Sequence, residues 1–306
     1  MQSGPMRFND VPFQLQATDI KKHILNVDSR FREAGGSTSD FFFRLLSPVK
    51  NILRIRISSI EMPNNYYMFS VRRRNINLRI VYGPSLSRCT LITIPQGNYS
   101  AFDMVDALNM IFATLTEPPG MTSYFDLVEG RFTFSCKQRF EIDTAIDRAP
   151  TLTWNRPFDY GLGYNMGFSR GIFPSTTVAD ASGNYTVTSD QLSYFAGDAY
   201  VLLKLNDFDC VLQTMKGSDF TALAKIVVKE PKNYMAFDDY ASQHAKEVVF
   251  PTPQDLSRLH VQLLDAYGEP IDMNSSQFSF SIEVLEIMNL SLYNTVRDAF
   301  AVGWRV

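Results

Sequence analysis

Three histidines, His23, His244 and His260, stand far apart, and none belongs to an H-E-x-x-H pair or to a Cys/His spacing that could hold a metal. A histidine-based metal site would have to be assembled entirely by the fold, and His260, on the polar face of an expected strand, reads more simply as solvated. Asp207 and Asp209 flank Phe208, and Asp238-Asp239 follow Phe237. Residues two apart on a strand share a face, so Asp207 and Asp209 could chelate a cation or act as an acid pair; the plainer reading is solvated aspartates at a loop exit. The run Gly161-Leu-Gly163-Tyr-Asn-Met-Gly167 has the glycine density of a dinucleotide loop, but its third glycine is one place late and no strand-to-helix context surrounds it. There is neither a G-x-x-x-x-G-K-[ST] phosphate loop nor a G-x-S-x-G nucleophile elbow. No residue pair supplies both nucleophile and base, so no enzyme, cofactor or metal is expected.

Charge narrows the partners. Lys and Arg number 29 against 32 Asp and Glu, a formal net charge of −3 over 306 residues, without the positive field of a protein that clamps many phosphates. Direct nucleic-acid binding is not expected. Arg72-Arg73-Arg74, between two expected strands, is the one sharp basic run, and a solvated turn or an acidic neighbour explains it more cheaply than DNA does. Cys89, Cys136 and Cys210 are too few and scattered for a disulfide framework, which suits a reducing compartment. The amino terminus has no apolar block of a secretory signal, and no stretch reaches the ~18 apolar residues of a membrane span. Sequons begin at Asn98, Asn184, Asn274 and Asn289, and without an export signal they read as chance.

The elements that would position any site are mainly strands, because alternation with a period of two dominates. Leu53, Ile55 and Ile57 alternate with Arg54, Arg56 and Ser58, and the apolar phase then moves to Ile60 and Met62, which predicts a bulge near Ser58-Ser59. Ile76 to Tyr82 and Phe132 to Cys136 read as half-buried strands. Leu259, Val261 and Leu263, and then Phe278, Phe280, Ile282 and Val284, are the cleanest patterns, and the turn-rich connection after Asp265 suits an antiparallel pair. One helix is clear: Ser100 and Asp103 make a capping box, Ala101, Met104, Val105, Leu108, Ile111, Phe112 and Leu115 form the apolar stripe, and Glu117-Pro-Pro-Gly120 stops it. One helix among many strands predicts a mainly β chain, an antiparallel sandwich or barrel with a long insertion or surface excursion. The expected divisions are an extended arm at 1–40, a first core part at 41–150, an insertion or surface loops at 151–199, a second core part at 200–288, and a tail at 289–306.

Aromatic residues make up 13% of the chain. Consecutive aromatics such as Phe41-Phe42-Phe43 and Tyr66-Tyr67 must point to opposite faces of a strand, so part of that surface should be covered by another chain. Trp154, Tyr160, Tyr164 and Tyr185 in the insertion could form a stacking platform for glycans, the competing function of a carbohydrate-binding module.

Four segments in order, Asn26-Val-Asp-Ser-Arg-Phe-Arg32, Ile57-Ser-Ser-Ile-Glu-Met-Pro-Asn64 with Tyr66-Tyr67-Met-Phe-Ser70, Ile92-Thr-Ile-Pro-Gln-Gly-Asn-Tyr-Ser100, and Leu256-Ser-Arg-Leu-His-Val-Gln-Leu-Leu-Asp-Ala-Tyr-Gly268 leading to Phe278-Ser-Phe-Ser-Ile-Glu283, resemble capsid proteins of nucleocytoplasmic large DNA viruses. Within that family the chain looks most like chlorovirus-type penton, or vertex, proteins, with a minor capsid protein beneath the major shell as the competitor. The resemblance implies a structural jelly-roll protein of the virion, made in the host cytoplasm. It also implies a homopentamer at fivefold vertices of an icosahedral capsid that contacts major and minor capsid proteins. Arg30, Phe31, Tyr66, Tyr67, Arg72, Arg73 and Arg74 are the expected assembly contacts.

Overall fold

A computed structural model describes residues 19–145, 161–208, 210–215, 218–238 and 247–303. In chain order it contains β1 (Ile20–Asp28), β2 (Asp40–Pro63), β3 (Asn77–Tyr82), β4 (Arg88–Thr93), helix α1 (Ala101–Thr114), β5 (Thr122–Asp126), β6 (Arg131–Cys136) and β7 (Phe140–Asp143). There follow α2 (Leu162–Asn165), β8 (Ile172–Pro174), β9 (Tyr185–Thr188), β10 (Tyr200–Leu205), β11 (Val211–Met215), β12 (Ser218–Ala222) and β13 (Ala224–Val227). The chain ends with β14 (Met235–Asp238), β15 (Glu247–Leu264), β16 (Ser279–Ile287) and α3 (Leu290–Gly303). Among the described residues every strand pairing is antiparallel, and the chain is mainly β, as the period-two patterning requires.

Two compact units result: Met1–Tyr66 with Tyr200–Val306, and Tyr67–Ala199. The first is built on a seven-stranded sheet in the order β1-β16-β2-β15-β10-β13, with β14 paired to β2 and a separate β11-β12 ribbon. Its core takes one face of the long strands: Val27, Ile55, Ile57, Ile60, Leu259, Val261, Phe280 and Ile282 are all buried. The expected bulge is present, since Ser281 pairs with Ser59 while Ile282 pairs with Ile57, which leaves Ser58 as the extra residue. A second irregularity, between Leu285 opposite Arg54 and Glu286 opposite Ile52, skips Leu53. Ile52 is therefore buried in place of the expected Leu53.

Two expectations about connectivity need correction. Strands β15 and β16 are not partners, because β2 lies between them and pairs with both. After Leu264 the chain turns through Asp265, whose carboxylate accepts the backbone N–H groups of Tyr267 and Glu269, and Ile271 N–H then bonds back to Leu263. The arm expected at 1–40 is also shorter in its extended part: from Ile20 it is strand β1, laddered along β16 from Ile287 to Ser279. Residues 1–18 lie outside the described residues. The 289–306 tail contains α3, with Asn289 Oδ1 accepting the Leu292 N–H at its start.

The Tyr67–Ala199 unit has a four-stranded sheet, β4-β3-β7-β8, and a three-stranded sheet, β5-β6-β9. Helix α1 forms as its sequence dictates: Ser100 Oγ accepts the Asp103 N–H and Asp103 Oδ2 accepts the Ser100 N–H, while Met104, Leu108 and Phe112 are buried. Asn109 on this helix accepts the Ser123 N–H and donates to the Ser123 carbonyl, fixing α1 on β5. Residues 161–199 are not set apart from their neighbours. Strand β8 pairs with β7 and β9 with β6, and Leu162, Met166, Phe168 and Val187 join the common core, so the unit begins at Tyr67 rather than at residue 151. Aromatic content is absorbed here as a chain of ring contacts, Phe102–Phe125–Phe132–Phe195–Phe69, with centroids 5.2 to 5.6 Å apart.

An ion cluster ties three strands of the first unit. Glu283 on β16 meets Lys22 of β1 at 2.6 Å and Arg54 of β2 at 3.1 Å. Burial opposes ionisation of Glu283, but the hydrogen bond and charge of Lys22, with Arg54 and Arg56 nearby, outweigh it and hold its carboxyl below the ordinary 4.5. A carboxylate depressed in this way stabilises the fold above its unfolded value and loses that contribution as pH falls through the folded one. Glu283→Gln is expected to cost about 1–2 kcal/mol at pH 7, discounted for the exposed Lys22. The gap from the native chain should close in urea melts taken below the ordinary carboxylate range. A gap that stays constant from neutral to acidic pH would contradict the pairing.

Candidate functional site

The residues expected to make assembly contacts fall into two places, one on each unit. On the first, Asp28 ends β1 and caps the following turn. Its Oδ1 accepts the Arg30 N–H at 2.9 Å, and Arg30 Nε reaches both carboxylate oxygens. The Arg30 side-chain hydrogen bonds hold the Asp28 carboxyl below its usual range, against the burial of that group. Ser29 exchanges bonds with Phe278, giving its N–H to the carbonyl and receiving the Phe278 N–H on its hydroxyl. Arg32 donates to the Ser29 carbonyl at 2.7 Å and to Gln277 at 3.1 Å. The motif at 26–32 is thus a locked turn, and its one large apolar side chain, Phe31, is 71% exposed with the Arg30 guanidinium 5.8 Å from its ring.

Tyr66 does not belong to that surface. It is 1% exposed, with the Lys232 ammonium 3.6 Å from its ring centroid and donating to its carbonyl. The side chain of Asn64 donates to the Glu230 carbonyl, so the segment around Glu230 to Tyr234 covers this stretch and makes Tyr66 core.

On the Tyr67–Ala199 unit, Tyr67 is 40% exposed. The arginine run sits on a turn fastened by buried Asn75, which accepts the Ser70 N–H and donates to the Met68 carbonyl. Arg73 is taken by Asp198 in a two-pronged pair, both side chains mostly covered, which is the acidic-neighbour explanation of the run. Arg74 closes the turn through its N–H to the Val71 carbonyl at a φ of 52°, and Arg72 is exposed. Arg30, Phe31, Tyr67 and Arg72 therefore remain accessible, while Tyr66 and Arg73 are engaged within the chain.

The four aromatics expected as a glycan platform are not brought together among the described residues. Tyr164 is 38% exposed on α2, and Tyr185 on β9 is half-buried under the Arg139 guanidinium, 5.9 Å from its ring. Trp154 and Tyr160 lie outside the described residues, as does Asp209, the proposed mate of the exposed Asp207. The glycine run has a packing explanation: Gly161 leads into α2 at a φ of 104°, a Cβ on Gly163 would stand 2.5 Å from the Thr144 side chain, and one on Gly167 would stand 2.4 Å from the Gln191 carbonyl. His23 pairs with Glu286 at 2.6 Å, and His260 pairs with Asp40 at 2.8 Å while stacking on Phe42. Among the described residues no three His, Cys, Asp or Glu side chains are grouped to hold a metal ion, and no helix is long and apolar enough to cross a membrane.

Sequence reasoning missed an outward apolar feature, the β5–β6 turn. Asp126 Oδ1 accepts the N–H groups of Val128 and Glu129, and Gly130 follows at a φ of 67°. This turn holds Val128 96% exposed beside Leu127. The signal was available, since Leu127-Val128 lies where a hairpin turn should be polar.

The geometry defines a mainly antiparallel β protein with two compact units and outward apolar turns. No protein-family model matches the chain, and no curated protein matches it. Among solved structures it is similar to the mavirus penton protein, at 9% identity over 86% of this chain and 99% of that one, with a TM-score of 0.43. It is also similar to a chain of the Sputnik virophage structure, at 12% identity over 89% of this chain and 99% of that one, with a TM-score of 0.31.

Proposed function

We propose that the chain is a structural capsid protein of the virion, a penton that closes into a pentameric ring at the fivefold vertices of a large icosahedral DNA virus and contacts major and minor capsid proteins there. The observation that carries the reading is that both units hold large apolar side chains outward on hydrogen-bonded turns, Phe31 on one and Leu127 with Val128 on the other. Apolar area fixed in water gains ~25 cal/mol per Å² when a neighbouring subunit covers it, and a ring repeats one such interface. The segments that resemble large-DNA-virus capsid proteins support the reading, since they build the locked turn after β1, the bulged end of β2, the entry to α1, and β15. Mass photometry of the purified chain at micromolar concentration is expected to give particles near five times 34.8 kDa. A map of the intact particle should place the backbone at the fivefold axis. A chain that stays monomeric and is missing from virions refutes the role, and density beneath the major shell instead assigns a minor capsid protein.

A further inference from the structure

The seven-stranded sheet contains a strand position that the described chain does not fill. Strand β10 runs beside β15 only from Leu202 to Leu205, opposite Leu264 to Val261. It then turns away at Asn206, whose N–H donates to the His260 carbonyl at 2.9 Å and whose side chain accepts the His260 N–H at 2.7 Å. Strand β15 continues for another thirteen residues to Glu247. Backbone groups alternate sides along a strand, so those of Arg258, in unbroken register with His260, face the same way as those of His260, along the line that β10 has left. On its other side β15 meets β2 in a register broken between Val249 and Gln254, between Gln254 and Leu256 and between Leu256 and Arg258, and Pro251 and Pro253 cannot donate to a ladder. A groove of about 640 Å³ follows the open edge; Ile52, Ile55, Phe208, Phe250 and Leu256 form its apolar part, and Lys204, Asp207, Asp255 and Arg258 are charged groups in the same lining. An edge whose N–H and C=O groups have no partner among the described residues, beside a groove lined by both apolar and polar side chains, is a template for an extended polypeptide with alternating apolar and polar side chains.

The chain carries such a segment ahead of β1. Val11, Phe13, Leu15 and Ala17 alternate with Pro12, Gln14, Gln16 and Thr18, giving one apolar row, a second row that is polar from Gln14 onward, and no acidic or basic residue. The same chain does not deliver it. The sheet order puts β1 four strand spacings of ~4.8 Å from the vacant position, ~19 Å in all, whereas the three steps from Ala17 to Ile20 span ~10 Å when extended. We infer that the groove beside β15 receives residues 11–17 of a second copy as an added strand. The proposal rests on the assembly reading for its donor, and goes beyond it in naming the acceptor.

The test uses the full chain with p-benzoylphenylalanine in place of Phe13, mixed as ¹⁵N-labelled and unlabelled protein and irradiated. Mass spectrometry is expected to find cross-links to residues 206–208 or 250–258 that join a heavy to a light peptide. Cross-links at those residues only within one isotope assign the segment to its own chain and overturn the second-copy donor; cross-links elsewhere, or none, overturn the groove. A second measurement avoids any effect of the photoreactive group: Phe13→Asp with Leu15→Asp should weaken self-association by more than ~10-fold, because two apolar side chains leave the groove. Unchanged association would also overturn the proposal. Rings that form without the cross-link leave the capsid reading standing and remove only the added strand, while groove cross-links in a protein absent from virions remove the capsid reading alone.

Discussion

Phe280→Ala is expected to destabilise the Met1–Tyr66, Tyr200–Val306 unit by about 3–5 kcal/mol, the range for a large aromatic truncated in a fixed core. Phe280 is fully buried on β16, which is laddered on both sides: Phe280 stands opposite Val27 of β1 and opposite Ile60 of β2. Its ring lies 6.1 Å from that of Phe278, and Val27 and Ile60 are themselves core residues. With hydrogen-bonded neighbours on each side, β16 cannot move inward to fill the space, so the loss of transfer free energy is joined by a cavity that stays open. Phe280→Leu should cost roughly 1–1.5 kcal/mol, since most of the volume is kept. Urea denaturation followed by far-UV circular dichroism separates the two variants. A loss below about 1 kcal/mol for the alanine would mean that the site collapses and that β16 is not pinned between β1 and β2.

Gly167→Ala is expected to be comparably severe for a different reason. Gly167 has a φ of 89°, and the added Cβ would meet the Gln191 carbonyl oxygen at 2.4 Å and the Leu192 carbonyl carbon at 3.0 Å. Both obstacles are backbone, and they are held close because the Gln191 N–H donates to the Gly167 carbonyl at 2.8 Å. The left-handed backbone alone costs an L-residue about 1–2 kcal/mol, and separating the two segments breaks that hydrogen bond as well, so the sum should reach about 3 kcal/mol. Gly171→Ala is the matched control, because nothing lies within 4 Å of its Cβ position. Its melting temperature should hold or rise slightly, since alanine narrows the unfolded ensemble. Equal melting temperatures for the two variants would show that the close approach at Gly167 does not exist.

How far the sequence spoke depended on whether a feature was local. Helix α1 was legible from end to end because its cap, stripe and stop lie within a short window, and the bulge at Ser58 was legible because one residue shifts every apolar position after it. The buried rows of β15 and β16 were equally plain. Their neighbours were not, because alternation reports which face is buried and says nothing about which strand sits alongside; the insertion of β2 between them is a long-range choice. Strand β1 was hidden because Ile24 is exposed next to Leu25, which packs against the core, so its alternation is blurred. Residue type alone could not separate Tyr66 from Tyr67, one core and one exposed, nor reveal that Arg73 would find Asp198, 125 positions away. Phe41 and Phe42 did divide as consecutive strand residues must, the first buried and the second outward against His260.

The central place of β16 has a consequence for the newborn chain. Ribosomal synthesis releases β1 and β2 before the whole Tyr67–Ala199 unit, yet the strand that joins them emerges only after that unit and after β15. The Tyr67–Ala199 unit closes through contacts inside its own span and can fold while translation continues, whereas β1 waits with its partner-facing edge open. Premature termination before residue 279 would therefore leave a folded insert beside an unmated β1 and an open edge of β2, a product that chaperones or proteases must clear before it reaches an assembling shell.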